Sequence, residues 1–169
     1  AAGAGRRFGE DQPKQYARIA GRPLLDYTLE VLRACQPADF VLVTAAEDGC
    51  WRDVPATAEV RVVTGGASRA ASVAAGISAL GDTDWVLVHD AARPCVRAED
   101  IHRLVAGVDP RAGGLLAIPM TDTVKRSTGS VADLADCTVD GTVDRVHLWR
   151  AQTPQLFPRE TLARALRAN

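Results

Sequence analysis

Val60-Arg61-Val62-Val63-Thr64-Gly65-Gly66-Ala67-Ser68-Arg69-Ala70-Ala71-Ser72-Val73-Ala74-Ala75-Gly76-Ile77 is the stretch on which the fold turns. A short β-branched run, Val60 to Val63, suits a strand. Two glycines then break it. Ser68 follows as a helix cap, since its hydroxyl can accept from a free backbone N–H of the first turn. The next residues, Ala71-Ser72-Val73-Ala74-Ala75-Gly76-Ile77, suit a helix with a small face that packs closely. Strand, glycine turn and helix in sequence form the unit of an α/β sheet.

The same alternation extends in both directions. Phe40 to Thr44, Trp85 to Val88 and Leu115 to Ile118 read as further strands. Pro23 suits a first helical turn, and Leu24, Leu25, Thr28, Leu29 and Leu32 follow at helical spacing. Ala98 to Val105 and Pro158 to Arg167 read as helices. The expectation is a single α/β domain over residues 1–169, Rossmann-like, with a mostly parallel sheet and helices on both faces. Ligands of such sheets sit beyond the carboxyl ends of the strands. Residues 121–149 break the rhythm. That segment is polar, contains Gly129 and Gly141, and offers only weak strands such as Thr142-Val143-Asp144-Arg145-Val146. It is expected to be a projecting β-arm, because long excursions from a compact domain usually serve function. A strand is also expected ahead of Ala1, to feed the loop there.

The composition narrows the function. Twenty Lys and Arg face 21 Asp and Glu, for a net charge of −1, and 47% of residues are apolar. That balance argues against a general nucleic-acid or membrane surface and leaves room for a local basic pocket. No apolar run approaches membrane length. Cys35, Cys50, Cys95 and Cys137 show no C-x-x-C spacing. They read as reduced, mostly buried small side chains, which places the protein in the cytoplasm.

Four regions carry chemistry. The first is Ala1-Ala2-Gly3-Ala4-Gly5-Arg6-Arg7-Phe8-Gly9, followed by Pro13-Lys14-Gln15. Gly3 and Gly5 let the backbone approach a ligand closely, and successive N–H groups can cradle an anionic oxygen. Arg6, Arg7 and Lys14 add positive charge, which suits the phosphates of a nucleoside triphosphate. The pattern is neither a Walker A loop nor a dinucleotide fingerprint, since Lys14 follows Pro13 and Gly9 falls one residue late. The second region is the Gly65–Ser72 turn, where a helix N-terminus adds free N–H groups and Ser68 and Ser72 add hydroxyls able to read a base or ribose. The third is His89-Asp90-Ala91-Ala92-Arg93-Pro94, after an apolar strand. Asp90 is placed to hold Mg²⁺, which takes carboxylate and phosphate oxygens. Arg93 can pair with Asp90 or bind a phosphate. His89 reads as a packed or hydrogen-bonded histidine. On and around the arm, Thr123, Arg145 and Thr153 offer hydroxyl and guanidinium donors suited to a phosphomonoester. Trp149 reads as a packing anchor.

These residues, taken in order, resemble one family. Ala-Ala-Gly-x-Gly-x-Arg, Pro-Lys-Gln-Tyr, Gly-Gly-x-x-Arg-x-x-Ser-Val, Val-His-Asp-Ala-Ala-Arg-Pro, Asp-Thr-Val-Lys and Ala-Gln-Thr-Pro-Gln-x-Phe run from Ala1 to about Phe157 and resemble the 2-C-methyl-D-erythritol 4-phosphate cytidylyltransferases of the non-mevalonate isoprenoid pathway. The resemblance implies a nucleotidyltransferase sheet and transfer of CMP from CTP to methylerythritol phosphate, with release of pyrophosphate. It implies that Arg7 and Lys14 stabilise the crowded α-phosphate. Ala1, Ala2, Gly3, Gly66 and Ser72 match positions that hold cytosine and ribose, and Gly5 and Arg69 complete the nucleotide-binding set. Asp90 matches the aspartate near Mg²⁺ and the acceptor hydroxyls, with Arg93 beside it. Thr123, Arg145 and Thr153 match positions for the acceptor phosphate. In a homodimer joined through the arm, Thr123 and Arg145 would serve the partner's site. The resemblance also implies a further segment after Asn169. Two other readings are a ribitol 5-phosphate cytidylyltransferase and a nucleotide-binding module without turnover.

Overall fold

The computed structural model describes residues 13–129 and 137–168. The chain divides into two compact units, residues 1–115 with 153–169, and residues 116–152.

In the first unit, a one-turn 3-10 helix, Lys14–Tyr16, leads into a small antiparallel hairpin of β1 (Arg18–Ile19) and β2 (Arg22–Pro23). Ala20 and Gly21 turn it with φ of 50° and 81°. Helix α1 (Leu24–Ala34) starts at Pro23, whose φ of −61° is already helical. Its inward face is Leu25, Asp26, Thr28 and Leu29. Leu25 and Leu29 join Tyr16, Leu42, Val54, Val60 and Ala91 in the core. Burying each leucine stabilises the fold by about 1.5–3 kcal/mol. Asp26 is buried but satisfied, accepting from Arg22 at 2.8 Å and from the Ala56 N–H at 3.1 Å.

Strands β3 (Val41–Thr44) and β4 (Arg61–Thr64) pair in parallel, in the register Leu42 with Val62. Helix α2 (Arg69–Ala79) follows β4 and packs on β3. Ser68 caps it, its Oγ accepting from the Ala71 N–H at 3.1 Å. At the other end Arg159 donates to the carbonyls of Ile77, Leu80 and Gly81. Strand β5 (Trp85–Val88), helix α3 (Ala98–Gly107) and strand β6 (Gly114–Pro119) come next, β6 continuing into the second unit from Leu116. Strand β9 (Trp149–Pro158) runs antiparallel to β5 and lies between β5 and β6. Helix α4 (Arg159–Arg167) closes the unit.

The second unit carries the antiparallel pair β7 (Val124–Ser127) and β8 (Val139–Val143), with a bulge between Arg126 and Ser127. The expected strand around residue 142 therefore starts earlier and stops at Val143, where Asp144 turns back to accept from the Val146 N–H. Val139, Val146 and Trp149 are exposed. Trp149 is thus not the packing anchor expected of it.

The sheets correct the expectation of one mostly parallel sheet. They are small and mixed, and among the described pairs with a stated register only β3 with β4 is parallel. The cause is β9. Its prolines, Pro154 and Pro158, hide a strand that enters the sheet antiparallel. The cysteines are also less buried than expected. All four are free thiols, with Cys95 exposed and the other three half-buried.

Candidate active site

Lys14, Gly66, Ser68, Arg69, Ser72, His89, Asp90 and Arg93 line one pocket of the first unit. Ala1, Ala2, Gly3, Gly5 and Arg7 lie outside the described residues.

Lys14 is exposed while its neighbours Gln15 and Tyr16 are buried. Tyr16 anchors this turn. Its hydroxyl donates to Asp48 Oδ2 at 2.6 Å, and burial together with that bond pushes the phenol well above its ordinary range. The Tyr16 N–H bonds the Pro13 carbonyl at 2.9 Å. A flexible ammonium thus stands on a fixed base.

The glycine turn is held from within. Ser72 is buried, and its Oγ accepts from the Gly66 N–H at 3.2 Å and lies 2.9 Å from the Ser68 carbonyl, to which it donates. Both serines are therefore committed to shaping the loop. A Cβ at Gly66 would run into the Ala71 methyl, so only glycine fits there. The first free N–H groups of α2 open at this turn, which favours an anion.

Asp90 sits two residues past β5. Arg93 donates to its Oδ2 at 2.9 Å and Arg69 to its Oδ1 at 3.3 Å. Burial pushes the carboxyl up, but the Arg93 hydrogen bond and the Arg69 charge outweigh it and hold the group below the usual range. The turn closes through the Arg93 N–H to the Asp90 carbonyl at 3.1 Å. His89 Nε2 donates to the Arg93 carbonyl at 3.1 Å, and burial lowers its pKa. His89 thus packs and bonds as expected, with Nδ1 buried and without a hydrogen-bond partner among the described residues.

Thr153, expected on or around the arm, belongs to the first unit and lies inside β9. The pairing of Val88 with Gln155, continued for two residues, puts Asp90 opposite Thr153. The Asp90 N–H donates to Thr153 Oγ1 at 3.2 Å, and Thr153 is buried. The sequence hid this contact because β9 was not recognised as a strand. Thr28 was also missed as a polar contact. Its Oγ1 donates to the Ala91 carbonyl at 2.9 Å, although its spacing marked it only as a core-facing residue. Thr123 and Arg145 lie in the second unit, both exposed, and Arg145 donates to the Thr121 carbonyl.

The pocket groups the Gly66 turn, the cations Lys14, Arg69 and Arg93, and the Asp90 carboxylate. Transfer at a phosphate requires positioning and charge neutralisation above all. On an α/β frame that provision defines a nucleotidyltransferase. The chain belongs to the 2-C-methyl-D-erythritol 4-phosphate cytidylyltransferase family, whose model matches residues 1–169. A family member from Chromobacterium violaceum is 49% identical over 175 residues, covering 98% of this chain and 74% of the relative. One from Xylella fastidiosa is 47% identical over 174 residues, covering 98% and 73%. A crystal structure of a 4-diphosphocytidyl-2C-methyl-D-erythritol synthase is similar with a TM-score of 0.77 at 38% identity, over 94% of this chain and 75% of that one.

Proposed function

We infer that the chain transfers CMP from CTP to 2-C-methyl-D-erythritol 4-phosphate, releasing pyrophosphate, in isoprenoid precursor synthesis. The observation that carries this reading is the family match across residues 1–169. Membership of that family gives no support to the ribitol phosphate reading.

A phosphate oxygen of the acceptor attacks the α-phosphorus of CTP in line. The bond from that phosphorus to the bridging oxygen of the β-phosphate breaks, and pyrophosphate leaves with the electron pair. The nucleophile is already an anion, so no side chain has to remove a proton. Lys14 and Arg7 neutralise charge as the α-phosphate becomes crowded. The Gly66 turn, Ser72 and the N-terminus of α2, with Ala1, Ala2, Gly3, Gly5 and Arg69, hold the nucleotide. Asp90 and Arg93 orient the acceptor.

Asp90 fits Mg²⁺ as a single protein ligand. It is anionic and part exposed, and such a metal takes one or two carboxylates along with substrate phosphates and water. Among the described residues no cluster of three or more ligating side chains forms a metal cage. When bound, the metal would supply charge neutralisation on the triphosphate. No helix among the described residues is long and apolar enough to cross a membrane. Four unpaired cysteines support a cytoplasmic setting.

The partner in the proposed assembly is a second copy. Thr123 and Arg145, on the 121–149 segment, would bind the phosphate of acceptor held in the other subunit. Thr153 would act beside them and also steady Asp90.

The test is pyrophosphate release by the full-length protein with CTP, ATP or GTP against methylerythritol phosphate or ribitol 5-phosphate. Turnover with CTP and methylerythritol phosphate, well above every other pair, is the expected result. Equal rates with CTP and ATP, or a preference for ribitol phosphate, would overturn it. Nucleotide binding with no pyrophosphate would leave a regulatory module.

A further inference from the structure

Thr28 is 1% exposed, the most completely buried of the buried polar side chains among the described residues. It lies on α1, between the core residues Leu25 and Leu29. A hydroxyl in that place needs a partner, because burying one unpaired is costly. It has one proton and two acceptors in reach. The Leu24 carbonyl, one helical turn back, is 3.2 Å away, and the Ala91 carbonyl is 2.9 Å away. A helical threonine can always use the first of these. The nearer is the second, 63 residues on in the chain.

Ala91 follows Asp90 and is itself buried. The turn that presents the Asp90 carboxylate is thus gripped on two sides. Thr153 accepts the Asp90 N–H, and Thr28 donates to the next carbonyl. We propose that Thr28 is a positioning residue for the acceptor: its hydroxyl fixes the Ala91 carbonyl and, through it, the direction of the Asp90 carboxylate. Thr28 touches no substrate in this account, since it has almost no exposed surface. The kinetic part of the proposal rests on the function inferred above, and the structural part does not.

The experiment compares Thr28→Val, which keeps the shape and removes the donor, with Thr28→Ser, which keeps the donor and removes a methyl. Three quantities are measured on the full-length protein. They are kcat/KM for methylerythritol phosphate, CTP affinity by equilibrium titration, and hydrogen exchange of a peptide spanning residues 89–94. In Thr28→Val, kcat/KM for the acceptor should fall on the order of 10–100-fold, the effect of slight misplacement from a remote change. CTP affinity should stay within about twofold, since the glycine turn is built without Thr28. Exchange should quicken in the 89–94 peptide and not in α2. Thr28→Ser should recover most of the acceptor efficiency. An acceptor efficiency unchanged in Thr28→Val, equal losses for CTP and acceptor, or a serine variant as poor as the valine one would each overturn the proposal. If the wild-type protein releases no pyrophosphate, the functional reading fails separately. The exchange result then decides the anchoring, and unchanged exchange in Thr28→Val defeats it.

Discussion

The turn at residues 89–93 and the segment 116–152 both carry side chains suited to a phosphate-bearing substrate, but they are supported differently. Asp90 is held by two arginines, a buried threonine at its N–H and a second buried threonine at the neighbouring carbonyl. Lys14 and the Gly66 turn have similar internal support from Tyr16 and Ser72. Arg145 and Thr123 stand on exposed backbone, in a unit whose Val139, Val146 and Trp149 also face outward. Fixing such a segment costs roughly 1–2 kcal/mol of backbone entropy per residue. The first unit therefore prepares its groups before substrate arrives, whereas the second leaves that cost to be offset by something that covers it. The proposed second copy of the chain would do so by covering these side chains.

The largest expected effect falls on the prepared side. Lys14→Ala should lower turnover on the order of 10²–10³-fold with little change in CTP binding. Normal turnover with poor CTP binding would show Lys14 to be an affinity group and remove the distinction. A second experiment tests the other side of the comparison. Lys14→Ala and Arg145→Ala chains, each nearly inactive alone, are mixed and heterodimers confirmed. If Arg145 serves the partner's site, one site of each heterodimer carries both defects and the other neither. Random pairing should then restore roughly a quarter of wild-type activity. No recovery would place Arg145 in its own subunit's site or outside any site.

Gly66→Ala sharpens the comparison at the glycine turn. The added methyl meets Ala71, so the backbone must shift, and CTP binding should weaken on the order of tenfold. Isothermal titration measures this, and unchanged affinity would show the turn to be adaptable. The smallest effect concerns acid. Asp90 titrates below its ordinary 3.8, so its ion pairs add stability above that value and lose it as pH falls through the lower, folded value. In Arg93→Ala, burial is less opposed, the folded value rises toward the ordinary one, and the acid loss of stability from this group should be smaller. His89, lowered from 6.5, also costs stability in acid, starting below that value in both proteins. Chemical unfolding of the ligand-free proteins between pH 3 and pH 7 separates the two. Superimposable acid limbs would mean that Arg69 alone holds the carboxyl down.

Much of this was legible in the sequence, for physical reasons. Trp85 to Val88 is a continuous apolar run and forms β5 as read. Ser68 announced the start of α2, and Asp90 with Arg93 announced their pair. What stayed hidden was tertiary. Pro154 and Pro158 remove N–H donors, so β9 did not look like a strand, and Thr153 could not be placed opposite Asp90. Helical spacing showed that Thr28 faces inward but not which carbonyl it would meet. Sequence likewise displays the Ser72 hydroxyl without displaying the Gly66 N–H and Ser68 carbonyl that it bonds.

The long reach of these contacts bears on how the protein is made. Asp90 and its partner Thr153 are 63 residues apart, and Arg159 caps carbonyls of α2 from 82 residues downstream of Ile77. Synthesis proceeds from the N-terminus, so the ribosome delivers α2, β5 and the Asp90 turn well before β9 exists. Until then the inner edge of β5 lacks the strand that will pair with it, and the last carbonyls of α2 lack their guanidinium. All of residues 116–152 must be translated before that partner strand can arrive. The nascent chain therefore passes through a stage in which the apolar Trp85–Val88 edge is open to other extended segments, and this is the interval in which a chaperone that shields strand edges would matter most.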